Sequence, residues 1–235
     1  IARRQRQMCI RDSAYLVPAQ RRNVKWLTNM VFRRAPGGLA DRHARGRRMG
    51  GMTRIIAGRL RGRRLRVPDE GTRPTSDRVR ESVFNMLVHR CDLAGARVLD
   101  VYAGSGALGL EALSRGASEA TFVDSARKAT SAILANAHQC GVAAEVSVIT
   151  RPAAVYLAGP PEPRFDLVFA DPPYALGPES VNADLIALRP WLASEAIVVL
   201  ERSARGPDIY WPPAYEVIID KNYGDTRVEV ARHVG

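Results

Sequence analysis

The chain has 235 residues, 46% hydrophobic and 25% charged, a size and balance suited to one α/β domain with a small appendage. No apolar run approaches the roughly 20 residues that a membrane-spanning helix needs. The three cysteines, Cys9, Cys91 and Cys140, are too few and too scattered for a disulfide framework, which points to the reducing cytoplasm.

The net charge of +11 is unevenly placed. Residues 1–51 carry 13 Lys and Arg against 2 acidic residues, whereas residues 52–235 carry 22 of each sign. The arginine-rich stretch 1–51 has no sustained helical or strand period and is expected to be a disordered or non-native leader, with Met52 as the natural start. From Thr53 a pattern emerges. Thr53–Ala57 and Arg63–Val67 flank Gly58-Arg-Leu-Arg-Gly62 and predict a short β-hairpin studded with arginines. Pro68 to Pro74 reads as a loop. Ser76 or Asp77 caps a helix whose apolar face is Val79, Val83, Phe84, Leu87 and Val88.

Strands and helices then alternate. The predicted strands are Arg97–Val101, Ala120–Val123, Glu145–Ile149, Phe165–Ala170 and Ala196–Leu200. The predicted helices are Leu108–Arg115, Ala126–Cys140 and Ala183–Leu192. Tyr215–Ile219 and Arg227–Ala231 read as a closing antiparallel pair. The alternation predicts a doubly wound, Rossmann-like α/β sheet. The expected organisation is a leader over 1–51, a hairpin and helix over 52–90, and the main domain over 91–235.

Two motifs carry chemistry. In Val98-Leu-Asp-Val-Tyr-Ala-Gly-Ser-Gly-Ala-Leu-Gly109, a buried strand runs into a glycine loop that opens a helix. Gly104, Gly106 and Gly109 fit GxGxxG, so a dinucleotide oxidoreductase or a nucleotide-binding module is one reading. Asp100 argues against a pyrophosphate and suits a ligand bearing an ammonium and a sulfonium. Asp124, ending the next strand, can accept ribose hydroxyls. The second motif, Asp171-Pro-Pro-Tyr174, directly follows an apolar strand. The lone pair of an exocyclic base amine is delocalised into the ring. Two acceptors, the Asp171 carboxylate and the Pro172 carbonyl, can bond its hydrogens and localise it, while Tyr174 offers a flat stacking face. The four histidines show no metal-ligand spacing.

The pairing of the two motifs resembles class I methyltransferases acting on base amines. With Thr53–Gly58, Thr72-Arg-Pro-Thr-Ser-Asp-Arg-Val-Arg-Glu-Ser-Val-Phe-Asn85, Ala112-Leu-Ser-Arg-Gly-Ala117 and Tyr223-Gly-Asp-Thr226, the chain from Met52 onward resembles the RsmD family of bacterial guanine-N2 methyltransferases of 16S ribosomal RNA. The resemblance implies S-adenosylmethionine as cofactor, held by Asp100, Tyr102, Gly104, Ser105, Gly106, Gly109, Asp124, Ser125 and Ala153. It implies a guanine held by Asp171, Pro172, Pro173 and Tyr174. RNA contacts are implied for Arg59, Arg61, Arg63 and Arg64 on the hairpin and for Arg73, Thr75 and Arg78 beyond it. It also implies a small-subunit ribosomal RNA partner in an assembling 30S subunit, and a monomer acting in the cytoplasm without a membrane. Asp-Pro-Pro-Tyr also serves adenine-N6 and cytosine-N4 methylation of DNA, but only 86 residues follow Ile149, too few to finish the sheet and add a DNA-reading domain.

Overall fold

The computed structural model describes residues 52–68, 76–161 and 164–235, so the leader and the assignments to Arg73 and Thr75 lie outside the described residues. The first described elements form an antiparallel pair, β1 (Met52–Arg54) and β2 (Arg64–Arg66), in which Thr53 pairs with Leu65. Helix α1 (Asp77–Leu87) starts at Ser76, whose hydroxyl accepts from the Val79 N–H at 3.2 Å, one of the amides a helix start leaves unpaired. Its buried face holds Val79, Val83, Phe84 and Leu87. Val88, expected on that face, is the C-cap and stands exposed, because the last turn has carried it away from the core.

The main sheet follows as β3 (Arg97–Val101), α2 (Ala107–Ser114), β4 (Glu119–Asp124), α3 (Arg127–Cys140), β5 (Val146–Thr150), α4 (Ala153–Leu157), β6 (Phe165–Ala170), α5 (Pro178–Leu188), β7 (Leu192–Ser203), β8 (Tyr215–Tyr223) and β9 (Thr226–His233). The strand order is β5-β4-β3-β6-β7-β9-β8. The first five strands in that order are parallel, and β9 runs antiparallel to both β7 and β8. Strands β3 and β6 are mostly apolar because both sheet faces are covered. Period-two alternation divides their side chains. Val98, Leu167 and Phe169 pack with α1, α2 and α3 on one face, while Leu99, Val101 and Val168 pack with α4 and α5 on the other. This is the Rossmann-like class I methyltransferase architecture, with an antiparallel closing pair.

Several expected bounds shift: the hairpin strands shorten to three residues each, Glu145 ends a 3₁₀ turn so that β5 starts at Val146, and β8 runs on to Tyr223. The helix expected over 183–192 begins at Pro178, with proline at its first turn, and ends at Leu188. Pro190 has no N–H to continue it, and residues 189–191 tighten into a 3₁₀ turn. Strand β7 consequently starts at Leu192 and runs past the expected Leu200 to Ser203. The short α4, entered from Pro152, was not foreseen.

Candidate active site

From β3 the chain builds β4 and β5 on one side, then crosses to β6 on the other. The strand order therefore reverses between β3 and β6, and the crevice at their carboxyl ends is where such sheets bind ligands. Both sequence motifs end there. Val101 pairs with Ala170 in the parallel register, so the glycine loop leaves β3 beside the Asp171–Tyr174 turn.

The glycine loop is fixed by its two carboxylates. Asp100 is 2% exposed and its Oδ2 accepts the Gly109 N–H at 2.9 Å. Asp124 accepts the Gly104 N–H through Oδ2 at 2.9 Å and the Ala126 N–H through Oδ1 at 2.8 Å. Gly106, at φ +75°, is the left-handed residue from which α2 starts. Gly109 is required for space. A Cβ there would stand 2.4 Å from the Phe122 ring and 3.3 Å from the Asp100 carboxylate, so only glycine lets α2 lie this close to β4. Burial pushes the Asp100 carboxyl up to about 8. The Gly109 N–H opposes that rise, and the charge of Asp124 adds to it. A cation brought beside this carboxyl would favour its ionised form. Ser105 is buried, Ser125 is exposed, and Ala153 sits at the start of α4 with 6% exposure.

Tyr102 departs from β3 at φ +62°, a conformation that aromatic residues rarely adopt. Its hydroxyl donates to the carboxylate of Asp184 on α5. Asp171 is half-buried, and its N–H points to the Val101 carbonyl at 3.5 Å. Pro172 is buried, Pro173 and Tyr174 are exposed, and the Leu176 N–H closes the turn on the Pro173 carbonyl at 2.8 Å. An anionic acceptor, two rigid prolines and a half-exposed aromatic face thus stand together at one strand end.

The hairpin arginines separate into two groups. Arg61, Arg63 and Arg64 are exposed, as is Arg78 on α1. Arg59 is instead tied to its own protein. Its guanidinium pairs with Glu145 and its Nε donates to the Leu113 carbonyl at 3.3 Å, so part of its charge is spent internally.

Three residues that sequence reasoning missed hold this arrangement together. Glu111 on α2 is fully buried and accepts from the Ile56 and Ala57 amides at 2.7 and 3.0 Å and from Arg115 at 2.8 Å. Asn136 on α3 is also fully buried. Its Oδ1 accepts the Arg66 N–H at 2.8 Å, and its Nδ2 donates to the carbonyls of Arg66 and of Ser105 in the glycine loop, each at 3.0 Å. Asp184 is the third. Only Glu111 left a trace in the sequence, as a lone charge inside the apolar helix Leu108–Leu113.

Comparison with known proteins bears on this geometry. The family model described as "Conserved hypothetical protein 95" matches residues 53–232. The Escherichia coli protein named ribosomal RNA small subunit methyltransferase D is 42% identical over 152 residues, covering 64% of this chain and 75% of that protein. The Haemophilus influenzae protein of the same name is 35% identical over 180 residues, covering 74% and 90%. A solved Escherichia coli structure, methyltransferase yhhF, superposes with a TM-score of 0.69 at 35% identity, covering 79% of this chain and 99% of that one. At 16% identity and a TM-score of 0.54, a methyltransferase structure complexed with SAH shares the fold alone. With the model match spanning nearly all of the chain beyond Met52 and the glycine loop and Asp-Pro-Pro-Tyr turn meeting at one crevice, the chain belongs to the RsmD family.

Proposed function

We infer that this protein is an S-adenosylmethionine-dependent methyltransferase that modifies the exocyclic N2 amine of a guanine in small-subunit ribosomal RNA. The observation that carries the inference is the Asp171–Tyr174 turn standing across the strand-order reversal from the glycine loop. The buried Asp100 carboxyl, which a neighbouring cation would draw into its ionised form, fits the cationic methionine end of the cofactor, and Asp124 fits its ribose. S-adenosylmethionine supplies an electrophilic methyl group. The protein supplies position. The Asp171 carboxylate and the Pro172 carbonyl accept the two amine hydrogens and direct the lone pair, Tyr174 stacks on the unstacked base, and Asp171 takes the proton that the methylated amine must lose. The same turn serves adenine and cytosine amines in DNA, but membership of the RsmD family favours ribosomal RNA.

In this reading residues 52–90 form the RNA-facing extension of a methyltransferase domain over 91–235, and the exposed Arg61, Arg63, Arg64 and Arg78 meet phosphates. Arg59 has a smaller part because of its pairing with Glu145. The substrate is RNA within an assembling 30S subunit, read by shape and backbone, and the enzyme acts as a cytoplasmic monomer. Among the described residues no helix is long and apolar enough to cross a membrane.

The test is methyl incorporation into small subunits from cells lacking the enzyme, with duplex DNA as control. Asp171→Ala should keep the fold and cofactor affinity and lose about 10²–10⁴ in rate. Asp171→Asn, which keeps one acceptor oxygen, should retain more. Full activity in Asp171→Ala, or preferential labelling of DNA, refutes the reading.

A further inference from the structure

We propose that Tyr102 and Asp184 form a latch that sets the base-holding turn against the cofactor loop, which makes Asp184 a positioning residue for methyl transfer. The inference rests on the proposed roles of those two loops.

The argument starts with the backbone. A non-glycine residue at φ +62° is strained, and here it is a bulky aromatic in a loop otherwise rich in glycine. Glycine would adopt this conformation freely, so a side chain at this position has a use that offsets the strain. The side chain crosses from the end of β3 to α5, and its hydroxyl donates to the Asp184 carboxylate. Both groups are half-buried. Burial holds the Tyr102 hydroxyl far above its ordinary range, so it stays a donor at any working pH. The Asp184 carboxyl is also raised by burial, against which its bond from Tyr102 acts.

The connectivity shows what the bond does. The turn that carries Asp171, Pro172 and Tyr174 is strung between β6 and α5. At its upstream end the Asp171 N–H points to the carbonyl of Val101. At its downstream end α5 is held through Asp184 to Tyr102, the very next residue of the cofactor strand. Adjacent residues of the β3 terminus therefore anchor both ends of the turn. Val181, Leu185 and Leu188 already dock α5 on the sheet by apolar contact, which is non-directional, and the Tyr215 hydroxyl on β8, away from the glycine loop, donates to the Leu185 carbonyl at 2.7 Å. The directional bond from Tyr102 adds registry. It fixes where α5, and so the turn, stands along the crevice relative to the glycine loop. In-line transfer depends on that distance.

The experiment compares Tyr102→Phe, Asp184→Asn and Asp184→Leu in the full chain, with small subunits lacking the modification as substrate. Tyr102→Phe keeps the ring, so S-adenosylmethionine affinity by calorimetry should hold while kcat falls about 10- to 100-fold, the effect of a small misplacement of reacting groups. Asp184→Leu should match it, the double variant should be no slower than either single one, and Asp184→Asn, which keeps an acceptor, should recover most of the rate. A second readout needs no substrate. The Leu176 amide, which closes the turn, should exchange its hydrogen faster in Tyr102→Phe and Asp184→Leu than in the unsubstituted protein. Wild-type kcat in both variants overturns the latch. So does a rate loss matched by a loss of cofactor affinity, or unchanged exchange at Leu176. If the unsubstituted protein labels no ribosomal RNA, the functional reading fails instead, and the exchange measurement decides the latch by itself.

Discussion

Asp100 allows a test in which stability and binding move in opposite directions. Its pKa is driven from 3.8 to about 8, chiefly by burial, so the folded protein keeps the Asp100 proton near neutral pH while the unfolded chain releases it near pH 4. Because the folded value is the raised one, its contribution to stability is complete below the unfolded pKa and is lost as pH rises through the folded one. Between about pH 4 and about pH 8 that loss is about 1.4 kcal/mol per pH unit, from this group alone. Asp100→Asn keeps an oxygen for the Gly109 N–H and cannot ionise. The amide hydrogens of the Asn add a penalty that does not vary with pH. The stability difference between the two proteins, read by urea unfolding without cofactor at several pH values, should therefore swing in favour of the variant as pH rises and level off above about 8. Binding should go the other way. With no carboxylate to face the ammonium, S-adenosylmethionine affinity should fall by about 1.5–3 kcal/mol, roughly 10- to 100-fold in Kd. A stability difference independent of pH, or an unchanged Kd, refutes the assignment of Asp100 as a buried, cation-seeking carboxyl.

Glu111→Ala should destabilise the protein by about 3–5 kcal/mol, because it strips the buried Arg80 and the Arg115 guanidinium of their shared anion and orphans the Ile56 and Ala57 amides. A loss below about 1 kcal/mol in urea unfolding contradicts that role. Replacing Arg63 and Arg64 by Gln should flatten the log–log salt dependence of RNA binding by about 1.4–1.8. An unchanged slope makes them ordinary surface charges.

What the sequence disclosed follows from the range of the forces involved. Strands β3 and β6 lie where their apolar residues put them, because burial on both faces selects apolar side chains and leaves Asp100 and Asp166 as the exceptions. The acidic residues at the strand ends, Asp100, Asp124 and Asp171, could be picked out from position alone, since a charge in the last residues of a buried strand or just after it has few structural uses. Contacts between distant segments were not legible. Arg59 reads as a phosphate ligand until Glu145, 86 residues away, is found beside it. Asp184 sits mid-helix between Ala183 and Leu185 and gave no sign of Tyr102, 82 residues earlier. Local signals also competed. The stretch 183–192 promised a helix throughout, but the missing N–H of Pro190 outweighed it, so residues 189–191 tightened into a 3₁₀ turn and Leu192 joined β7.

The way the hairpin is held bears on how it meets a ligand. Apart from the Arg59 side chain, its attachment to the domain runs mainly through backbone and buried apolar side chains. Glu111 takes the amides of Ile56 and Ala57, and Asn136 takes both backbone groups of Arg66. Gly58 lies so close to α2 that a Cβ would stand 1.9 Å from the Ser114 carbonyl oxygen. Ile55, Leu60 and Leu65 are buried in the same core as Leu110 and Leu113. None of this uses the side chains of Arg61, Arg63 or Arg64, which stay exposed. Anchoring by backbone and charge presentation by side chain are therefore separable, and arginine replacements there should alter affinity for a polyanion without loosening the fold. The anchors lead inward as well. The Asn136 amide that holds Arg66 also holds the carbonyl of Ser105, between the two left-handed glycines of the glycine loop. A hairpin pulled by a bound polyanion would draw on the same side chain that holds the glycine loop, so Asn136 links the basic hairpin to that loop.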